Sequence, residues 1–302
     1  MITVSVPGKV NIMGEHAVVY GMPSLLAAVN LRLTVSVEPF PTFEIISGEP
    51  TEYVRYAAEF LSHEYQIPEL PHVKITIRSD IPAGYHLGSS AAVVAGTIAA
   101  LMYYLKKVWN PATTNQFAYE VEKKQHGNPS GGDNTTVTMG GLIWFRKELE
   151  FLKSIWQLPF TLPSSLNHFY LIDTGRPKET TGEMVAYVHS QYAKYGAKYN
   201  KLFDKNEHET KRITVAIKER DEHALIDAIR MGERTLEGMG VVSRSVIPLI
   251  RKIEKAGGAA KILGGGGRTS GTGYLLCYGK NPPGDAKAIS LGTEGLRLER
   301  KT

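Results

Sequence analysis

Between residues 73 and 107 the sequence changes its periodicity twice. Val73-Lys74-Ile75-Thr76-Ile77-Arg78 alternates as a half-buried strand does. Ile81-Pro82-Ala83-Gly84-Tyr85-His86-Leu87-Gly88 follows, and Ser89 or Ser90 then opens a long apolar helix that runs to about Lys107. A strand, a glycine loop and a helix in that order aim unpaired N–H groups and a positive dipole end at one spot. Phosphate is the usual occupant of such a spot. The segment is neither a Walker A loop, which ends Gly-Lys-Ser/Thr, nor a Gly-x-Gly-x-x-Gly fingerprint. Taken alone, it reads equally as a phosphate cradle or as a serine-capped buried helix.

The apolar stretch Ala91 to Leu105 falls short of the ~20 residues a membrane span needs. It reads as a buried helix, and no membrane partner is expected. The N-terminus lacks a basic segment followed by an apolar one, so a cytoplasmic protein is expected. The chain has 302 residues, 42% of them hydrophobic and 22% charged, enough for two domains or one large one with a core of its own. Cys277 is the one cysteine, which excludes an internal disulfide. The net charge of +5 suits an anionic small-molecule substrate. No motif supports nucleic-acid binding.

Residues 1–80 read mainly as strands, among them Leu31 to Glu38, with a helix over Pro50 to Gln66. A further helix is expected over Thr113 to Lys124 with Thr114 as its N-cap, then a strand at Leu142 to Phe145. Periodicity fades over 148–165, which places the domain boundary at 160/161, giving domains 1–160 and 161–302. Beyond it a strand is expected at 168–173, helices at about 179–204, 207–219, 222–238 and 243–256, and strands at 259–263 and 274–278.

Glycine gathers in two further places, Gly127 to Gly141 and Gly264 to Gly273. Together the clusters suggest one site built from three loops, or three ordinary turns. Near the N-terminus, Pro7-Gly8-Lys9 leads into Gly14-Glu15-His16-Ala17-Val18-Val19-Tyr20-Gly21. Singly, Lys9 reads as a surface lysine and His16 as a structural histidine. Glu122 closes a predicted helix, and Asp133 lies in His126-Gly127-Asn128-Pro129-Ser130-Gly131-Gly132-Asp133-Asn134, where an Asx-turn would explain it equally well.

These segments together resemble the GHMP kinase superfamily, and within it the mevalonate kinases. Residues 5–21, 81–92 and 122–141 carry the strongest likeness. Galactokinases usually follow the Glu-His pair with Thr-Asp-Tyr, which is absent here. Two departures stand out. His86 occupies a position where the family has glycine. In Lys261-Ile262-Leu263-Gly264-Gly265-Gly266-Gly267-Arg268, Leu263 replaces a hydroxyl residue and Arg268 a glycine. Arg268 reads equally as a phosphate contact or as a solvated loop residue.

The resemblance implies an α+β fold of two domains, ribosomal-S5-like at the N-terminus and ferredoxin-like with added helices at the C-terminus. It implies transfer of a phosphoryl group from ATP to the primary hydroxyl of mevalonate, with another small alcohol, sugar or phosphorylated acceptor as the alternative. Pro82, Gly84, Tyr85, His86, Leu87, Gly88, Ser89, Ser90, Ala91 and Ala92 would hold ATP, their N–H groups facing its phosphates. Ser90 and Glu122 would ligate Mg²⁺, Asp133 would accept the substrate's proton, and Lys9 beside it would neutralise the γ-phosphoryl. Glu15 and His16 would shape the acceptor pocket, with His16, Arg176 and Lys178 as candidate partners of the mevalonate carboxylate. The family is often dimeric, so a homodimer is left open.

Overall fold

A computed structural model describes residues 1–126, 129–149 and 151–299. Gly127 and Asn128, within the segment quoted for Asp133, lie outside the described residues. The strands are β1 (Ile2–Met13), β2 (Pro23–Pro39), β3 (Glu44–Ile46), β4 (Val73–Ser79), β5 (Leu142–Lys147), β6 (Lys153–Gln157), β7 (Phe169–Asp173), β8 (Ala259–Ile262), β9 (Tyr274–Tyr278), β10 (Lys287–Ile289) and β11 (Arg297–Glu299). The helices are α1 (Thr51–Glu64), α2 (Ser89–Lys106), α3 (Pro111–His126), α4 (Gly132–Met139), α5 (Thr181–Glu219), α6 (Glu222–Met239) and α7 (Ile247–Lys255).

The chain separates into two compact units, each assembled from discontinuous segments. Met1–Lys9, Ala28–Gly141 and Gly292–Thr302 form one; Val10–Ala27 and Leu142–Leu291 form the other. The chain passes from one unit to the other at four places, after Lys9, Ala27, Gly141 and Leu291.

In the first unit the sheet runs β11-β1-β2-β4-β3, with β2 and β4 antiparallel from Leu33 opposite Ser79 to Pro39 opposite Val73. Val35, Val37, Ile75 and Ile77 alternate inward, as the sequence pattern requires. Helix α2 is buried along every residue from Ala91 to Met102, so it behaves as a core helix and not an amphipathic one. By length and composition it could cross a membrane, but most of it is buried inside the protein. It lies close on the sheet: a Cβ on Gly96 would come within 2.8 Å of Val35 Cγ2 and 2.9 Å of Val6 Cγ2. Helices α1, α3 and α4 pack around it.

In the second unit β2 pairs with β5, and β5 with β6, around Leu26, Ile143 and Phe145. A separate antiparallel sheet runs β10-β7-β9-β8. Its inner residues Tyr170, Ile172, Leu275 and Cys277 pack with Phe203, Leu236, Met239 and Ile250 from α5, α6 and α7. A capping box starts α5: Thr180 Oγ1 accepts from Glu183 N at 3.2 Å, and Thr180 N donates to Glu183 Oε2 at 2.7 Å.

Several local expectations are corrected. The two helices expected over 179–204 and 207–219 are one, kinked at Tyr195 (φ −130°, ψ 42°) beside Gly196. The N-cap of α3 is Asn110, whose Oδ1 accepts from Ala112 N and Thr113 N; Thr114 lies inside the helix. Helix α2 has Gly88 as its N-cap and no side-chain cap, so neither Ser89 nor Ser90 plays that part. Asp133 lies in the first turn of a helix, where a loop was expected.

Candidate active site

Lys9 comes from a strand that is buried on both faces around it, so its stem has no room to reach solvent. Its backbone N–H donates to Leu87 O at 2.8 Å, which lays the glycine loop directly on β1. Gly88 sits there at φ +79°, and a Cβ on it would come 2.7 Å from Lys9 Cγ. Only a glycine meets both demands. Held this way, Lys9 Nζ stands 3.0 Å from Asp133 Oδ1. Lys9 is 8% exposed and Asp133 41%, so a buried ammonium holds a carboxylate that remains open to a reactant. The α4 N-terminus adds a second favourable field for that carboxylate.

Glu122, in α3, is buried and makes no hydrogen bond among the described residues. Burial first, and then the charge of Asp133, push its carboxyl up to about 8, with Lys9 opposing. Two carboxylates share one ammonium here, so the first unit is short of positive charge at this point. The two serines at the start of α2 differ. Ser89 Oγ donates to Glu49 Oε2 at 2.8 Å. Ser90 Oγ has no such engagement among the described residues. Ala92 N closes the first helical bond onto Gly88 O at 3.0 Å, so Ala92, expected to face phosphate, has no donor left to offer. Ser89, Ser90 and Ala91 remain as the first-turn donors, while the side chains of Leu87, Ala91 and Ala92 belong to the core.

His86 occupies the left-handed region at φ 60°, the conformation that glycine would take more easily. Burial, then the charge of Lys9, pull its imidazole below the usual range against the opposing pull of Asp133. The ring that replaces the family's glycine is therefore neutral near pH 7. Pro82, Gly84 and Tyr85 complete the loop, with Gly84 exposed and at φ 79°.

Glu15 and His16 belong to the second unit. Glu15 is 3% exposed, and its carboxylate accepts from Lys261 Nζ, which is fully buried. Lys261 Nζ also donates to Asn11 O at 3.2 Å and Ile262 O at 2.5 Å, which employs all three of its protons. His16 Nε2 donates to Gly265 O at 3.0 Å. The Glu15-His16 turn is thereby fastened to the third glycine loop by side chains at both residues. Glu233, wholly buried, accepts from Ile262 N at 3.1 Å, and burial drives its carboxyl well above the usual range. Glu15, not Glu233, is the carboxylate that pairs with Lys261. The lysine inside Ala259-Ala260-Lys261-Ile262 was the one available signal, since a charge in an apolar strand demands a partner.

Arg268 is exposed in its loop, as the second of its two readings expects. Its guanidinium lies 3.8 Å from the ring centroid of Tyr187 in α5. Glu179 grips the same loop. Burial pushes its carboxyl up, but hydrogen bonds from its own backbone, the Thr269 hydroxyl and the Arg268 and Thr269 N–H groups hold it below the usual range. Arg176 and Lys178 stand exposed in the loop before α5.

Two family profiles match the chain: the GHMP kinases N terminal domain over residues 52–141, and the galactokinase galactose-binding signature over residues 2–39. A mevalonate kinase of Archaeoglobus fulgidus is 33% identical over 305 residues, covering 98% of this chain and 99% of its own length. The chain belongs to the mevalonate kinase family of GHMP kinases. A mevalonate kinase of Pyrococcus abyssi is 27% identical across 99% of this chain and 98% of its own. Among solved structures, the mevalonate kinase of Methanococcus jannaschii superposes with a TM-score of 0.78 at 20% identity, covering 99% of this chain and 98% of that one. The L. major mevalonate kinase in complex with R-mevalonate gives 0.77 at 21% identity, over 92% of this chain and 86% of that one. These likenesses establish the two-domain GHMP kinase fold. As a member of the family, the chain is a kinase with ATP as co-substrate.

Proposed function

We infer that this chain transfers the γ-phosphoryl group of ATP to the primary hydroxyl of mevalonate, giving 5-phosphomevalonate. Family membership supports the reaction, and the Lys9–Asp133 pair beneath the Gly88 loop carries the assignment of roles.

Asp133 accepts the proton of the attacking hydroxyl. A carboxylate is far too weak a base to strip an alcohol outright, so the proton moves late, as the oxygen bonds to phosphorus. Lys9 fixes Asp133 in place and offsets charge on the moving phosphoryl group. The N–H groups at the start of α2 and in the preceding loop bind the phosphates, with His86 as a neutral wall.

The residues present fit a divalent cation. Among the described residues Glu122 is a buried carboxylate lacking a hydrogen-bond donor and a full counter-charge, and the Ser90 hydroxyl has no partner. Among the described residues no trio of His, Cys, Asp and Glu converges. Ser90 and Glu122 would therefore supply only part of the six oxygens that Mg²⁺ prefers, leaving the rest to phosphate and water. When bound, the cation neutralises phosphate charge. Glu15 and His16 shape the acceptor pocket through the turn they fasten, and the exposed Arg176 and Lys178 are the proposed partners of the substrate carboxylate.

The match to a galactose-binding signature over residues 2–39 gives a sugar acceptor the second place. Mg-ATP-dependent ADP release, measured with mevalonate, galactose, homoserine and phosphomevalonate, separates the readings. Turnover on mevalonate alone, lost in Asp133→Asn, is expected. Turnover on galactose and not on mevalonate would overturn the acceptor while keeping the kinase.

A further inference from the structure

The second unit carries a half-open pocket of about 550 Å³ that none of the functional groups above uses. It lies between the β7–β9 sheet and helices α6 and α7. Ile172, Ile226, Leu249 and Ile253 give it apolar walls. Its volume falls within the ~300–1,000 Å³ usual for small-molecule sites.

One polar group marks it out. The described residues include three buried tyrosines, all in this unit: Tyr170, Tyr199 and Tyr278. Tyr199 donates to Met239 O at 2.8 Å, and Tyr278 to Glu222 Oε1 at 3.0 Å. Tyr170 is 3% exposed and lines the cavity, yet its hydroxyl has no hydrogen-bond partner among the described residues. Burial pushes that phenol up to about 12, so it stays a neutral donor. The hydroxyl is open to the pocket, and a guest with an acceptor there would take its hydrogen bond.

The lining charges decide what kind of guest. Lys280 pairs with Glu222 at 2.8 Å, which cancels both. Lys252, Asp173 and Asp285 also line the pocket. The sum of two lysines and three carboxylates is −1, which gives no pull on an anion such as a nucleotide.

We propose that this pocket binds an uncharged amphipathic small molecule, with apolar carbon against Ile172, Ile226, Leu249 and Ile253 and a hydrogen-bond acceptor that meets the Tyr170 hydroxyl. The site is separate from the kinase chemistry and does not depend on the acceptor assigned above.

The test uses the full chain, first free and then with saturating Mg-ATP, and the neutral naphthalene ketone dye prodan, followed by its fluorescence. Saturable, blue-shifted emission with one site per chain is expected. Tyr170→Phe removes only the hydroxyl and should weaken binding about fivefold, the worth of one hydrogen bond. Ile226→Trp fills the cavity and should abolish binding, with unchanged far-UV circular dichroism showing that both variants fold. Four outcomes would overturn the proposal: no binding by the wild-type chain, equal affinity in all three proteins, displacement of dye by Mg-ATP, or loss of binding as protein concentration rises, which would make the face a contact between copies of the chain.

Discussion

Lys9 Nζ stands 3.0 Å from Asp133 Oδ1, and the lysine is the more buried of the two. The pair joins β1 to the first turn of α4, more than a hundred residues on. Asp133→Asn keeps the shape and removes the proton acceptor. Turnover should fall by roughly 10²–10⁴-fold while ATP affinity changes little. Single-turnover kinetics beside an ATP titration check this, and unchanged turnover would remove Asp133 from the reaction.

Glu122 makes the free protein's stability depend on pH. Its folded-state carboxyl titrates near 8, above the ordinary carboxylate value, so the folded state binds a proton that the unfolded state has released. Stability contributed by this group is therefore present at low pH and is lost as pH rises through about 8. The slope is at most about 1.4 kcal/mol per pH unit. Glu122→Gln should flatten it and should also raise the Mg²⁺ concentration needed for turnover. Urea unfolding between pH 5 and pH 9, with a Mg²⁺ titration of activity, reads both effects. A slope equal in the variant and the wild-type chain would sink the account.

The strand, loop and helix around Gly88 were legible because each has its own period and the boundaries carry glycine and serine. Helix α4 was not legible. Gly132-Asp133-Asn134-Thr135-Thr136 has poor helix propensity, and the helix is held from outside by Asn115 of α3. Asn134 Nδ2 donates to Asn115 Oδ1 at 3.0 Å, and Asn115 Nδ2 to Thr135 Oγ1 at 3.0 Å. No window of local sequence contains that anchor. Strands β10 and β11, three residues each, are too short to show a period at all. Among the site residues, Lys9, Glu122 and Asp133 were named through the family resemblance, since each alone had an ordinary structural explanation. The partner of Glu15 stayed hidden because Lys261 lies 246 residues away.

Gly88→Ala tests the contact between the glycine loop and the lysine. The new Cβ would stand 2.7 Å from Lys9 Cγ, on a backbone at φ +79° that alanine resists. The stem of Lys9 must move, and with it the ammonium beside Asp133. Turnover should drop by at least tenfold and ATP should bind more weakly, with a loss of about 1–2 kcal/mol in stability from the backbone alone. Gly88→Val should abolish ATP binding. Full activity in Gly88→Ala would show that the loop does not position Lys9.

The buried pair of Lys261 and Glu15 supports the turn at residues 14–21 from beneath. Its value lies less in attraction than in the cost of breaking it, since a single charge left in a dry interior has no water to turn to. Glu15→Gln should destabilise the chain by about 3–5 kcal/mol, and Lys261→Met by a similar amount. The double variant should recover much of that loss, because it buries no uncompensated charge. Activity should follow a different pattern. The double variant would still lack the bonds from Lys261 to Asn11 O and Ile262 O, so the turn would be less firmly held. Its KM for the acceptor should rise severalfold while its stability approaches that of the wild-type chain. Chemical denaturation of the two single variants and the double one gives the coupling energy, and initial rates give the KM. Additive losses in stability would show that the two side chains act independently, and an unchanged KM would confine Glu15 to folding.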